Sequence, residues 1–306
     1  MNHTVMTPSW DGLNIGIIGA GRLGTSLVAA LAAGGLRVVA VGSRSEAAAA
    51  SAAALAPGAL GSAGLQAVAD ESDVVFITTP DGAIAPVAAG LRWQRARLVV
   101  HCSGALSLDA LSAAAEQGAA TGCFYPLQTF AAGAAAGAWD GITVALEGEA
   151  GVLALLSDLS RRLGGEPIVL AAGQKALFHA AAVFASNYTV TLTAVAADLW
   201  QRLGFDRGLA LQGLLPILRG TVGNLERLGL PHALTGPIAR GDTATIERHL
   251  AALSHLAPEH LELYRRLAAA TIPVALEQGG LSREQAEEIR SMTSKEPATA
   301  ETPSTP

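Results

Sequence analysis

The sequence predicts an α/β fold: a doubly wound parallel sheet followed by a mostly α-helical second domain. Three observations carry that expectation. Short apolar runs alternate with helical stretches through the first half, the pattern of parallel strands covered on both faces. A glycine cluster, Gly19-x-Gly21-x-x-Gly24, joins the first apolar run to the first helical stretch. From about residue 172 the character changes to long helical segments, broken only at "RLGFDRG", "LGLPHALTGPIARGD" and "SHLAPEH". A chain of 306 residues allows two ordinary domains, each burying a sizeable core. The expected division is a flexible start (1–12), a sheet domain (13–171), a helical substrate and dimerisation domain (172–292) and a tail (293–306). The tail, "TSKEPATAETPSTP", has almost nothing to bury and is expected to be disordered.

The first element, "LNIGIIGAGRLGTSLVAALAAGG", reads as a short strand, the glycine turn, and a helix ending near Gly34 and Gly35. In a Rossmann-type turn the first glycine permits the tight bend, the second lets a pyrophosphate approach the backbone, and the third lets helix and strand pack closely. The anion rests on free N–H groups at the helix N-terminus. Strand, turn and helix stand here in the order that chemistry needs. Gly19, Gly21 and Gly24, with Arg22 and Leu23 between them, are therefore expected to bind a dinucleotide; a glycine turn with only a packing role is the competing reading.

The second strand, "LRVVAVGSRS", is expected to choose the nicotinamide cofactor. NAD sites place an Asp or Glu at this strand's end for the ribose 2′-OH, whereas NADP sites supply cations for a 2′-phosphate. This strand ends in Gly42-Ser43-Arg44-Ser45, without an acid. A guanidinium forks onto phosphate oxygens and serine hydroxyls add hydrogen bonds. Ser43 and Arg44 thus point to NADP(H), against a reading of Arg44 as a solvated surface residue.

Further strands follow at "DVVFITTP" and "RLVVHCSG". Ligands of such sheets bind off the strand C-terminal ends, which puts Thr79, Pro80 and Ser103 on the cofactor side. His101 reads equally well as a hydrogen-bonded structural residue or a chemical one. The strand "ATGCFY" leads into Pro126-Leu127-Gln128-Thr129, where Gln128 is a candidate substrate contact, and "GITVALEG" with "EPIVL" completes the sheet.

The next segment, "GQKALFHAAAVFASNY", keeps a Lys and a His four residues apart in an apolar stretch. At ~100° per residue, Lys175 and His179 share one helix face with Ser186 and Thr193, while Leu177, Phe178, Phe184, Tyr188 and Leu192 fall opposite. A helix running to about Leu203 and buried on most faces is expected. Burying a lone ammonium is costly without a partner, so something should meet that stripe.

Six stretches, "GAGRLG", "ITTPDGAI", "HCSGALSLDAL", "FYPLQTF", "HAAAVFASNY" and "LTGPIARGD", together resemble a family of Rossmann-like oxidoreductases whose C-terminal domain is of unknown function. The resemblance spans roughly residues 13 to 285. That family is similar in layout to pyrroline-5-carboxylate reductase, ketopantoate reductase and the 3-hydroxyacid dehydrogenases. One departure is Tyr125, where many relatives have a His before Pro-Leu. The hydroxyacid dehydrogenases use a Lys early in the central helix as general acid and an Asn one turn later to orient substrate. The resemblance implies that Lys175 matches that Lys, that His179 occupies the Asn position, and that both face the nicotinamide across a cleft with Ser186 and Asn187 nearby. Negative charge growing on a carbonyl oxygen during hydride transfer needs such a cation or acid. The competing reading leaves Lys175 in solvent and His179 as a satisfied core histidine. On "LTGPIARGD", Thr235 and Arg240 are candidate contacts for a substrate carboxylate, with an Arg240–Asp242 loop staple as the alternative.

Composition bounds the rest. A formal net charge of −6 gives no basic footprint for nucleic acid or an anionic membrane, leaving a small molecule or a second copy as partner. Cys102 and Cys123 are the only cysteines, with no CxxC and no His cluster at metal spacing, so free buried thiols and no metal are expected. "MNHTVMTPSWDG" lacks a basic stretch followed by an apolar core, so no signal peptide is expected. The most apolar window, around 176 to 197, is interrupted by His179, Ser186 and Asn187, which favours a core helix over a membrane span and a cytoplasmic location. Helices rich in Ala, Leu and Val with thin polar faces suggest a homodimer. The function expected is an NADP(H)-dependent reductase of a small 2-oxo or imino acid, ketopantoate-like as a first guess. A non-catalytic NADP(H)-binding regulator and a deazaflavin-linked NADP reductase are the alternatives.

Overall fold

The computed structural model describes residues 9–62, 64–131, 133 and 136–294. Most of the expected flexible start and residues 295–306 of the expected disordered tail lie outside them. The chain divides at Ser186/Asn187 into two units. In the first, strands β1 (Ile15–Ile18), β2 (Val38–Gly42), β3 (Leu60–Ser62), β4 (Val74–Ile77), β5 (Leu98–His101), β6 (Ala120–Pro126), β7 (Thr143–Gly148) and β8 (Glu166–Val169) form one sheet in the order β3-β2-β1-β4-β5-β6-β7-β8. Helices α1 (Arg22–Ala33), α2 (Glu46–Ala53), α3 (Leu65–Glu71), α4 (Asp81–Gly90), α5 (Ser112–Ala115), α6 (Ala150–Arg162) and α7 (Lys175–Ala185) alternate with the strands.

The apolar runs read as strands because both sheet faces are covered. In β4, Val74 and Phe76 join one cluster with Trp10, Leu27, Phe124 and Leu156, while Val75 and Ile77 join another with Ile84, Trp93 and Leu111. Strand order reverses at β1 and β4, which opens the ligand crevice of a doubly wound sheet. The sheet departs from all-parallel in one place: β6 and β7 run antiparallel, with Cys123 opposite Glu147 and Tyr125 opposite Ala145. Their connection carries one short 3₁₀ turn, Ala136–Trp139, among the described residues. A return strand needs no crossover helix, whereas a parallel one does.

The second unit is helical: α8 (Asn187–Arg202), α9 (Arg207–Leu228), α10 (Thr243–Leu256), α11 (Leu261–Gln278) and α12 (Arg283–Ser294). Asp206 and Asp242 cap α9 and α10 by accepting from the Leu209 and Thr245 backbone N–H at 3.0 and 3.1 Å. Ile246, Ile272, Leu281, Ala286 and Ile289 form its main core.

Two expectations about the Lys175 helix are corrected. It does not run unbroken to Leu203, because Ser186 (φ −109°, ψ −71°) interrupts it between α7 and α8. Nor is it buried on most faces: Leu177 is 79% and Val190 70% exposed in the single chain. Contacts group α7 with the sheet, whereas the change in sequence character comes at residue 172.

Candidate active site

The glycine turn is built as a cradle. Gly19 adopts φ +121°, and a Cβ there would sit 2.8 Å from the Thr78 backbone. A Cβ on Gly24 would lie 1.8 Å from the Gly19 carbonyl oxygen, so the third glycine is a packing requirement. Gly21 differs, since nothing lies within 4 Å of its would-be Cβ. It is also the N-cap of α1, and no side chain caps that helix. The first N–H groups of α1, in the turn carrying Arg22 and Leu23, are left to an anion. Thr78 Oγ1 donates to the Gly19 carbonyl at 2.7 Å and fixes the turn. Beside it Thr79 Oγ1 is buried with no protein partner among the described residues, a hydroxyl that a bound ligand can satisfy. Exposed Pro80 follows and caps the start of α4.

At the end of β2, Ser43 is half-buried and Arg44 exposed, with no carboxylate paired to that guanidinium among the described residues. Ser45 Oγ accepts from Ala48 N at 3.2 Å as the cap of α2. These features fit a dinucleotide whose pyrophosphate rests on α1 and whose 2′-phosphate reaches Arg44.

Further along the sheet, Lys175 is 4% exposed, which overturns the competing reading of a lysine left in solvent, and the partner that its burial demands is present. It forms an ion pair with Glu147 of β7 and donates to the Leu106 carbonyl at 2.6 Å. A buried ammonium requires a counter-ion, and the antiparallel register of β7 supplies one. Ser103, also buried, accepts through Oγ from Ala105 N and Leu106 N at 3.1 and 3.0 Å, so its hydroxyl organises the turn after β5. Lys175 thereby ties that turn, β7 and α7 together. His101 is fully buried, and its Nδ1 accepts from Ser103 N at 3.2 Å. Burial, then the Lys175 charge, lowers its pKa to about 4, so the imidazole is neutral at ordinary pH. Burial pushes the Cys123 thiol up to about 11 and the Cys102 thiol well above its usual range. Both cysteines are free.

His179 meets a different partner. Its Nδ1 lies 3.0 Å from the Tyr125 hydroxyl, and both side chains are half-buried. Burial, then the Asp81 carboxylate and the Cys123 thiol, raises the Tyr125 phenol above its usual range. Gln128 is exposed, its Oε1 accepting from Thr129 N at 2.8 Å. Ser186 is half-buried at the break after α7. In the second unit, Asn187, Thr235 and Arg240 are exposed. Asp242 is spent on its helix cap, and the hydrogen bonds to Thr245, ahead of Arg240, lower its pKa. The competing reading, an Arg240–Asp242 staple, is not met as an ion pair among the described residues. The sequence reading missed Glu147 altogether. The signal was there, as a lone acid in the apolar run "GITVALEG" to set against a lone Lys in the apolar helix.

Residues 6–126 match the Rossmann-like domain family, and residues 142–271 match DUF2520, a domain of unknown function. The two matches lie one after the other along the chain, the second taking in β7, β8 and the helices from α6 into α11. Among solved structures, a Bacteroides fragilis protein named as a candidate NADP oxidoreductase is 27% identical, with 87% of this chain and 100% of that one covered at a TM-score of 0.70. A Thermotoga maritima protein is 25% identical, covering 87% and 99%, at a TM-score of 0.71. A pyrroline-5-carboxylate reductase from Coxiella burnetii shares the fold at 16% identity, covering 88% and 99%, with a TM-score of 0.55. No curated protein matches. The DUF2520 match begins at the antiparallel turn into β7, so it takes in Glu147, Lys175 and His179.

Proposed function

We propose that this chain is an NADP(H)-dependent reductase that delivers a hydride to a small 2-oxo or imino acid, a ketopantoate-like acid being the first substrate to try. The observation that carries the reading is the uncapped α1 N-terminus over the open Gly21 cradle, beside a β2 end with Ser43 and Arg44 and no acid. The likeness to the candidate NADP oxidoreductase of Bacteroides fragilis supports it. When bound, the nicotinamide supplies the hydride. The chain's own residues do the rest: Gly19, Gly21 and Gly24 with the α1 N–H groups seat the pyrophosphate, Arg44 takes the 2′-phosphate, and Thr79 and Pro80 line the approach to the next strands. Asn187, Ser186, Gln128, Thr235 and Arg240 are proposed as substrate contacts. Arg240 suits a carboxylate because its guanidinium offers two parallel donors.

The reading extends to a cytoplasmic homodimer. One helical run, Lys175–Arg202, has the length and composition to cross a membrane, with 6% of its most apolar window buried in the single chain. Its first residue is bonded into the sheet unit, which favours an element covered by a second copy. The test of function is an NADPH-oxidation screen over 2-oxo acids, cyclic imines and a deazaflavin. Turnover of an acid or imine is the expected result. Flat traces with NADPH bound would assign the chain to cofactor sensing, and turnover of the deazaflavin alone would change its substrate class.

A further inference from the structure

Tyr125 is the next-to-last residue of β6 and lies beyond the end of β5, whose last residue His101 pairs with Cys123. Its hydroxyl meets His179 Nδ1 at 3.0 Å, and its ring stands edge-on to Phe178 at 6.3 Å. Gly104 is the floor beneath both: an added Cβ there would lie 2.6 Å from Tyr125 Cζ and from His179 Nδ1. Three segments therefore converge, the turn after β5, the end of β6 and the second turn of α7, and packing holds the pair before any ligand arrives. This is the same sheet edge on which the glycine turn stands. With pyrophosphate on α1 and the adenosine half over β2, the nicotinamide half has one direction left, across β4 and β5 toward β6. Lys175 is committed to Glu147 and Leu106, whereas Tyr125 and His179 keep half-exposed faces.

We propose that Tyr125 is the proton donor of the reductase and His179 its relay partner, an inference that rests on the dinucleotide-reductase reading. As the hydride bonds to the substrate carbon, the C=O π pair moves onto oxygen and takes the proton from Tyr125 Oη. The electron pair of the broken O–H bond stays on the phenolate. The phenolate then recovers a proton from His179 Nδ1 while Nε2 takes one up from solvent, so each turnover consumes one hydride and one solvent proton and the phenol is restored. An imine nitrogen accepts the same proton in the same way. The groups that face Tyr125 are Asp81 of α4, Cys123 of β6 and His179 of α7. Burial and the Asp81 carboxylate work against phenolate at neutral pH, where the Cys123 thiol is uncharged, so the phenol holds its proton until the substrate oxygen takes it.

The test reads Tyr125 itself, before any substrate is known. Tyrosinate absorbance of the full-length protein is titrated against pH with NADP⁺ and with NADPH bound, binding being followed by nicotinamide fluorescence. Only the oxidised ring carries a positive charge, so NADP⁺ should lower one tyrosine transition by about one pH unit or more relative to NADPH. The chain has three tyrosines, and the moving transition should be missing in Tyr125→Phe. If both dinucleotides bind and no tyrosine moves, the inference fails while the reductase reading stands. If neither binds, the reading fails and the inference with it. Should Tyr125→Phe not fold, a Tyr188→Phe/Tyr264→Phe chain leaves Tyr125 as its only phenol and answers the same question. On the acid or imine that the NADPH screen turns over, Tyr125→Phe should lower kcat about a hundredfold or more with NADPH affinity within twofold. Turnover within threefold of the parent overturns the inference.

Discussion

Arg44 is a residue whose contribution separates two cofactors that are otherwise alike. On the proposed reading its guanidinium holds the 2′-phosphate, which NADH lacks, so Arg44→Ala should cost about 1.5–3 kcal/mol of NADPH affinity and leave NADH nearly unchanged. Calorimetric titration with both cofactors checks this, and equal loss for the two would remove Arg44 from phosphate binding. His101 makes a different prediction, on stability. Its folded pKa of about 4 lies below the ordinary 6.5, so between these values the unfolded chain binds a proton that the folded chain refuses. Stability contributed by the neutral ring is complete above pH 6.5 and is lost as pH falls through 4, a term of roughly 3 kcal/mol. Denaturant melts across that window should show the slope in the parent, and His101→Gln should flatten it.

Among elements, the turn into α1 makes the sharpest contrast, because two glycines three residues apart do different work. Gly24→Ala drives a methyl into the Gly19 carbonyl and should lower the melting temperature by several degrees. Gly21→Ala meets nothing and should leave melting unchanged while weakening dinucleotide binding at least tenfold, since the methyl takes the space of the pyrophosphate. Parallel losses in both variants would mean that Gly21 packs rather than binds. This element is legible in the sequence because its demands are local. Strand β3 is not legible: it is three residues long and largely exposed, and it owes its place to Gly61, whose Cβ would meet the Ala50 backbone at 2.5 Å. The Lys175 stripe is half legible. A lone cation in an apolar helix announces that a partner exists, yet the partner is fixed by the pairing of Cys123 with Glu147, and an antiparallel return has no signature in periodicity. The Tyr125–His179 contact is hidden for the same reason, since it depends on how far β6 overruns β5.

For the whole molecule, the second unit leaves Val190, Leu211, Ile217 and Val222 exposed at 70%, 44%, 66% and 55% in the single chain. Apolar surface of this kind on α8 and α9 is expected to be covered by a second copy, and light scattering should report a dimer at working concentration. A monomer would overturn that assembly. The buried pair at the head of α7 sets where the chain can be cut. Ending it at residue 171, where the character of the sequence changes, strips Glu147 of its counter-ion and leaves a carboxylate stranded in an apolar wall. Ending it at Ser186 keeps the charge neutralised and the turn after β5 tethered. The longer fragment should fold and retain NADPH, and the shorter one should aggregate or melt early. A salt bridge that belongs to no helix or strand alone thus sets where the cut is predicted to fall, fifteen residues past the place that composition suggests.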